Sequence, residues 1–220
     1  MSATAARRVR VKICGITNPA DAECAIELGA DALGFNLYAG SKRFIPLVKA
    51  AAWIRELPLF VTKVAVMVNP SLAEAETVYA LPFIDAVQFH GDEDEKFCAH
   101  FSKAGVSFIK AVAVRDASSL ENLGRFGTRN ILVDAFVPGE FGGTGRLIDA
   151  AILEKISPDE RAGLRLILSG GLKPDNVAAA IARVRPYAVD VASGVESAPG
   201  LKDRARLAAF IAAVRSADSL

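Results

Sequence analysis

Polar side chains stand where short apolar runs end, and their types suit moving protons or holding anions. Cys14 closes the run Val11-Lys12-Ile13 and is followed by Gly15, which leaves room for a ligand beside the thiol. A thiolate can act as a general base, and an ordinary thiol pKa of roughly 8.5 needs only a modest fall to work at neutral pH. Cysteine is also among the most buried residue types, so the same position suits a small core filler. Asp134 ends Ile131-Leu132-Val133-Asp134. A carboxylate at the end of such a run is rarely buried without a purpose. It reads as a general acid, which must hold its proton near neutral pH, or as a cap for the loop that follows.

Arg43, in Ser41-Lys42-Arg43, carries a guanidinium suited to bidentate pairing with a substrate carboxylate, or to plain solvation at the surface. His90 reads as a base or as a satisfied pocket histidine and is placed with the substrate-binding residues, and His100 reads as a helix-surface residue. Cys24 and Cys98 fall within helices and read as core. Two turns look made for phosphate: Ser169-Gly170-Gly171 and Ser193-Gly194-Val195-Glu196. Glycines let backbone N–H groups approach an anion closely, and a helical first turn adds a favourable dipole. The alternative for both is a tight structural turn. The long stretch 135–146 contains four glycines, and such loops usually carry function, so Gly143 is read as a substrate-binding residue. No HxH or HExxH arrangement suggests a metal site.

These residues need elements that bring them together. Short β-branched runs at 9–14, 32–37, 63–68, 86–90, 108–114, 130–134, 165–169 and 188–193 read as strands. Most are continuously apolar, as parallel strands covered on both faces must be. Amphipathic segments at 19–29, 46–57, 72–81, 93–105, 118–125, 147–156, 176–185 and 204–216 read as helices. Asn18, Ser71 and Asp175 are candidate caps, Pro19 suits a first helical position, and Gly29 and Gly105 look like stops. Eight βα units in unbroken alternation predict an α/β chain folded as one (β/α)8 TIM barrel. A doubly wound open sheet is the alternative, but the turn after the first strand is Cys14-Gly15-Ile16-Thr17-Asn18, without GxGxxG. In a barrel the C-terminal strand ends share one face, and Cys14, Asn36, Asn69, Gln88, His90, Asp134, Ser169 and Ser193 all sit near such ends. Strands seven and eight are where barrels commonly hold phosphate.

The 220 residues are expected to form a single barrel domain, with 1–8 a short polar extension. The formal net charge is +1, which gives no case for nucleic acid or an acidic membrane as a partner. Any anion must be captured locally. Three widely spaced cysteines form no disulfide framework or CxxC pair, which points to a reducing, cytoplasmic setting. No apolar leader segment and no uninterrupted span of membrane length is visible.

The same stretches resemble the phosphoribosylanthranilate isomerase family of tryptophan biosynthesis. The likeness runs through Val11-Lys12-Ile13-Cys14-Gly15-Ile16-Thr17, Gly29-Ala30-Asp31-Ala32-Leu33-Gly34-Phe35 and Ser41-Lys42-Arg43. It continues at Val87-Gln88-Phe89-His90-Gly91, Leu132-Val133-Asp134, Gly142-Gly143-Thr144-Gly145 and Leu168-Ser169-Gly170-Gly171-Leu172. It closes at Val189-Asp190-Val191-Ala192-Ser193-Gly194-Val195-Glu196. The segments follow the family order across nearly the whole chain and are specific only together. Tyr38-Ala39-Gly40 departs from a stretch that often carries proline or lysine, and 136–141 varies freely.

The resemblance implies an Amadori rearrangement of N-(5-phosphoribosyl)anthranilate, with Cys14 as general base and Asp134 as general acid. It implies Arg43 on the anthranilate carboxylate and the two glycine turns on the phosphate. The substrate nitrogen serves as electron sink, so no cofactor is expected. A phosphorylated small molecule is the expected partner, and the chain is expected to be a monomer or homodimer. Two other readings remain: the related isomerase of a phosphoribosyl imidazole in histidine synthesis, disfavoured by cysteine at position 14, and a barrel that binds without turnover.

Overall fold

The computed structural model describes residues 8–135, 150–156 and 158–217. Gly143, most of the 135–146 loop and residues 1–7 of the polar extension lie outside them.

Eight parallel strands close into a barrel in sequence order. They are β1 Arg10–Cys14, β2 Ala32–Asn36, β3 Thr62–Met67, β4 Ala86–Phe89, β5 Phe108–Val114, β6 Asn130–Ala135, β7 Arg165–Leu168 and β8 Ala188–Val191. Closure is direct: β1 pairs with β2 on one side and with β8 on the other, through Arg10↔Ala188 to Ile13↔Val191. The helices are α1 Pro19–Leu28, α2 Leu47–Arg55, α3 Leu72–Tyr79, α4 Glu95–Lys103, α5 Ala150–Leu153, α6 Pro158–Gly163, α7 Val177–Val184 and α8 Arg204–Ala217. A small antiparallel hairpin, β9 Glu196–Ala198 with β10 Leu201–Lys202, follows the barrel's last strand.

Alternate residues of each strand face opposite ways, and the core divides accordingly. Val11, Ile13, Leu33, Phe35, Val87, Phe89, Ile131 and Val133 join the large apolar layer under the helices. Ala111, Leu132, Ile167 and Ala188 form a separate small cluster that plugs the barrel interior. Phe89 anchors the outer layer with Phe97, Phe101 and Phe108 at ring separations of 5.0 to 5.5 Å. Polar groups sit on the inward register above the plug. Lys12, Gln88, Asp134, Ser169 and Asp190 are all buried, and burial at that depth requires partners.

Local chemistry explains most helix ends. Asn18 accepts from the Asp21 N–H ahead of Pro19, and Gly29 closes α1 at φ 101°. Ser71 and Glu74 form a reciprocal capping box on α3. Gly105 takes φ 71° just beyond α4. Three expectations change. The helix read at 118–125 is two 3₁₀ turns, because Asn122 at φ 51° breaks the right-handed path. The cap expected from Asp175 is absent: α7 begins after Asn176, whose side chain accepts from the Lys173 N–H and donates to the Gly171 carbonyl. β7 and β8 stop at Leu168 and Val191, short of Ser169 and Ser193, which belong to the turns. Neither β9–β10 nor α6 was expected from the pattern.

Candidate active site

Nine of the ten site residues read from the sequence line one cleft at the C-terminal ends of the strands: Cys14, Arg43, His90, Asp134, Ser169, Gly170, Gly171, Ser193 and Gly194. The tenth, Gly143, is not among the described residues. Asn36, Ser41 and Asp190 line the cleft too, and the sequence reading assigned none of them a role.

Cys14 is half-buried at the end of β1, and Gly34 across the strand pair has no side chain to occupy its space. A Cβ on Gly34 would press on the Cys14 Sγ and the Lys12 Nζ together. Burial pushes the Cys14 thiol up, Lys12 and Lys202 pull it down, and Asp190 adds to the upward push. The net direction is upward, opposite to the fall that a base working at neutral pH needs. Lys12 itself is forced to stay charged. Burial disfavours its ammonium, but Asp190, 2.7 Å away, and Cys14 outweigh that cost. Asp190 also accepts from the Ser169 hydroxyl at 3.3 Å.

Asp134 is buried at the end of β6 and accepts from the Ala135 N–H at 2.8 Å. His90 Nε2 lies 3.5 Å from its other oxygen. The His90 Nδ1 is 2.7 Å from the Gln88 amide nitrogen, two residues earlier on β4. With that amide donating, Nδ1 accepts and the ring proton sits on Nε2, facing Asp134. The Gln88 Oε1 is buried and has no hydrogen-bond partner among the described residues. The sequence placed Gln88 near a strand end but not in this chain of contacts, because its partner is chosen by the pleat of β4 and by β6 two strands away.

Arg43 is not the solvated arginine its loop position allowed. Its Nε and Nη2 donate to the two carboxylate oxygens of Glu196 at 2.8 and 2.7 Å. Lys202 donates to Glu196 at 2.8 Å and to the Cys14 carbonyl at 2.6 Å. The hydrogen bond to Glu196 pushes Arg43 up. Burial pushes Glu196 towards its neutral form, but Arg43 and Lys202 together win and hold it below the ordinary carboxylate range. Burial pushes Lys202 down in spite of Glu196. Glu196 and Lys202 come from the hairpin, so sequence reading had no signal beyond Glu196 closing a glycine turn.

The two glycine turns abut. Gly170 and Gly171 adopt φ 83° and 62°, a region glycine enters without strain. Ser193–Val195 forms a 3₁₀ turn, the short helical turn expected there. A Cβ on Gly194 would overlap the Leu172 carbonyl oxygen. Among the described residues no group of three or more His, Cys, Asp or Glu could hold a metal ion, and no helix is long and apolar enough to cross a membrane.

A closed eight-stranded parallel barrel, with a thiol, a carboxylate and paired glycine turns around its C-terminal mouth, defines a (β/α)8-barrel enzyme. Residues 11–213 match the family model of N-(5'-phosphoribosyl)anthranilate (PRA) isomerase. The N-(5'-phosphoribosyl)anthranilate isomerase of Pseudomonas putida KT2440 is 46% identical over 211 residues, covering 95% of this chain and 98% of the relative. That of Thiobacillus denitrificans is 46% identical over 210 residues, covering 94% and 98%. The crystal structure of the Thermotoga maritima enzyme superimposes with a TM-score of 0.84 at 40% identity, covering 94% of this chain and 99% of that one. A second structure, a phosphoribosylanthranilate isomerase in complex with reduced 1-(o-carboxyphenylamino)-1-deoxyribulose 5-phosphate, gives 0.81 at 40% identity, covering 94% and 99%. The chain belongs to the phosphoribosylanthranilate isomerase family, an isomerase family of tryptophan biosynthesis. This decides against the histidine-pathway alternative.

Proposed function

We propose that this chain converts N-(5-phosphoribosyl)anthranilate to 1-(2-carboxyphenylamino)-1-deoxyribulose 5-phosphate by acid–base catalysis. The observation that carries the reading is the convergence of Cys14, Asp134, Arg43 and both glycine turns on one cleft. The turns after β7 and β8 take the phosphate on backbone N–H groups, and Ser169 and Ser193 add hydroxyls. Arg43 takes the anthranilate carboxylate. Asp134 delivers its proton to the furanose oxygen as the nitrogen lone pair breaks the C1–O bond, leaving an open-chain iminium. The His90 Nε2–H then faces the new Asp134 carboxylate and stabilises it.

The iminium acidifies the C2 proton, and Cys14 removes it as a thiolate. The C–H electrons form a C1=C2 bond and neutralise the nitrogen. Loss of the C2 hydroxyl proton and protonation at C1 complete the aminoketone, so atoms and electrons balance without a cofactor. Lys12 and Lys202 are the cations that favour the Cys14 thiolate against burial. The loop residue Gly143 belongs to the substrate-binding set in this reading, residues 1–220 act as one barrel domain, and the enzyme works in the cytoplasm as a monomer or homodimer.

The test is fluorescence decay of freshly made phosphoribosylanthranilate with the purified chain. Rapid consumption that yields the carboxyphenylamino ketone supports the reading. Binding without consumption would make the barrel a binding module and refute it.

A further inference from the structure

We propose that Glu196, backed by Lys202, is a positioning residue that sets the Arg43 guanidinium to receive a substrate carboxylate. The proposal rests on the carboxylate role given to Arg43 above. Arg43 comes from the connection between β2 and α2, where an arginine stem of several rotatable bonds would otherwise sample many rotamers. Three contacts remove that freedom. The stem lies across Gly15, where a Cβ would overlap the Arg43 Cδ. The Nε and Nη2 protons are held side-on by both Glu196 oxygens, at 2.8 and 2.7 Å. Glu196 is itself fixed, since its Oε1 accepts from Lys202 at 2.8 Å and its side chain is only 4% exposed.

The side-on grip has a consequence for recognition. A guanidinium has two forked edges, one at Nε and Nη2 and another at Nη1 and Nη2. Glu196 occupies the first. The second makes no bond to another described residue, and Arg43 lines the cleft while Glu196 and Lys202 do not. A planar carboxylate fits the free edge bidentately, with the arginine gripped between two anions. Two cations and one anion in the cluster leave one positive charge surplus, which a substrate carboxylate neutralises. Lys202 also donates to the Cys14 carbonyl at 2.6 Å and the Ala192 carbonyl at 3.3 Å. The cluster therefore ties the carboxylate holder to the end of β1 and to the turn after β8.

The experiment is a calorimetric and kinetic cycle over Glu196→Gln, Arg43→Ala and the double variant. Calorimetry uses the reduced product analogue and its phenylamino counterpart without the carboxylate. Glutamine keeps one acceptor but turns an N–H on the Nη2 donor. Glu196→Gln is expected to weaken the carboxylate-bearing analogue by roughly 10-fold or more, to raise KM likewise and to change kcat by less than about 3-fold. The analogue lacking the carboxylate should bind as to the parent chain, and Glu196→Gln should add nothing once Arg43 is alanine. Equal weakening of both analogues, or additive losses in the double variant, overturns the proposal. Glu196→Asp keeps the charge on a shorter stem and should give a smaller loss of the same selectivity; a loss shared by both analogues again overturns it. A parent chain that binds the analogue but turns nothing over refutes the isomerase reading alone, since the binding arm still decides the role of Glu196.

Discussion

Replacing Lys12 by methionine tests how a buried thiol can serve as a base. Lys12 lies two residues before Cys14 on β1 and is one of two cations that pull the thiol down against burial. A charge-assisted contact is worth about 1.5–3 kcal/mol, roughly a 10- to 100-fold bias towards the thiolate, and losing it leaves burial and Asp190 opposed only by Lys202, so the Cys14 thiol moves further up. The base form is the anion. At a fixed pH on the rising limb, the thiolate fraction and kcat/KM should therefore fall about 10- to 100-fold, and raising the pH should restore them. The substitution also strands Asp190, 2.7 Å from the lost ammonium and 5% exposed. Breaking such a pair costs about 3–5 kcal/mol out of a usual total of roughly 5–15 kcal/mol, so the variant should fold in the cold with a lowered Tm. The assays are kcat/KM against pH and the pH dependence of Cys14 alkylation, read by peptide mass. A limb that stays put or moves to lower pH while the variant remains folded refutes the assignment of Lys12 as the cation that favours the thiolate.

Asp134→Asn should lower kcat by about 100-fold or more while KM changes little; near-parent turnover removes Asp134 as the acid. Gly194→Ala forces a methyl onto the Leu172 carbonyl and should part the two phosphate turns, raising KM and the Ki of inorganic phosphate by about 10-fold; an unaltered phosphate Ki refutes that placement. Gln88→Leu removes the amide beside the His90 Nδ1 and should lower kcat several-fold with KM little changed, while nitrogen NMR of His90 reports a shifted tautomer balance; an unchanged tautomer balance shows that Gln88 does not set the ring.

Much of the site was legible because strand ends in a barrel have only one place to go. Cys14, Asp134 and Ser169 each follow a short apolar run, and eight such runs alternating with amphipathic segments close into one ring. The glycines at 170 and 171 marked a turn that side chains would strain. Missing from the sequence reading were the partners. Lys12 and Asp190 carried no role in it, although the inward register buries them against each other. The segment 118–125 misled because its apolar spacing suits a helix, while a single left-handed residue, Asn122, splits it.

The chain's own order determined the alternation of elements, the strand-end positions of the thiol and the acid, and the chemistry they can perform. These are local properties of residue type and spacing. Only the closed barrel decided what stands beside what. It brings Asp190 to Lys12 across 178 positions of chain and Glu196 to Arg43 across 153. It also decided the direction of the Cys14 shift, because desolvation is a property of the surrounding walls and not of the residue. A thiol's reactivity depends on the cations that chain closure delivers to it, and linear spacing carries no trace of that delivery.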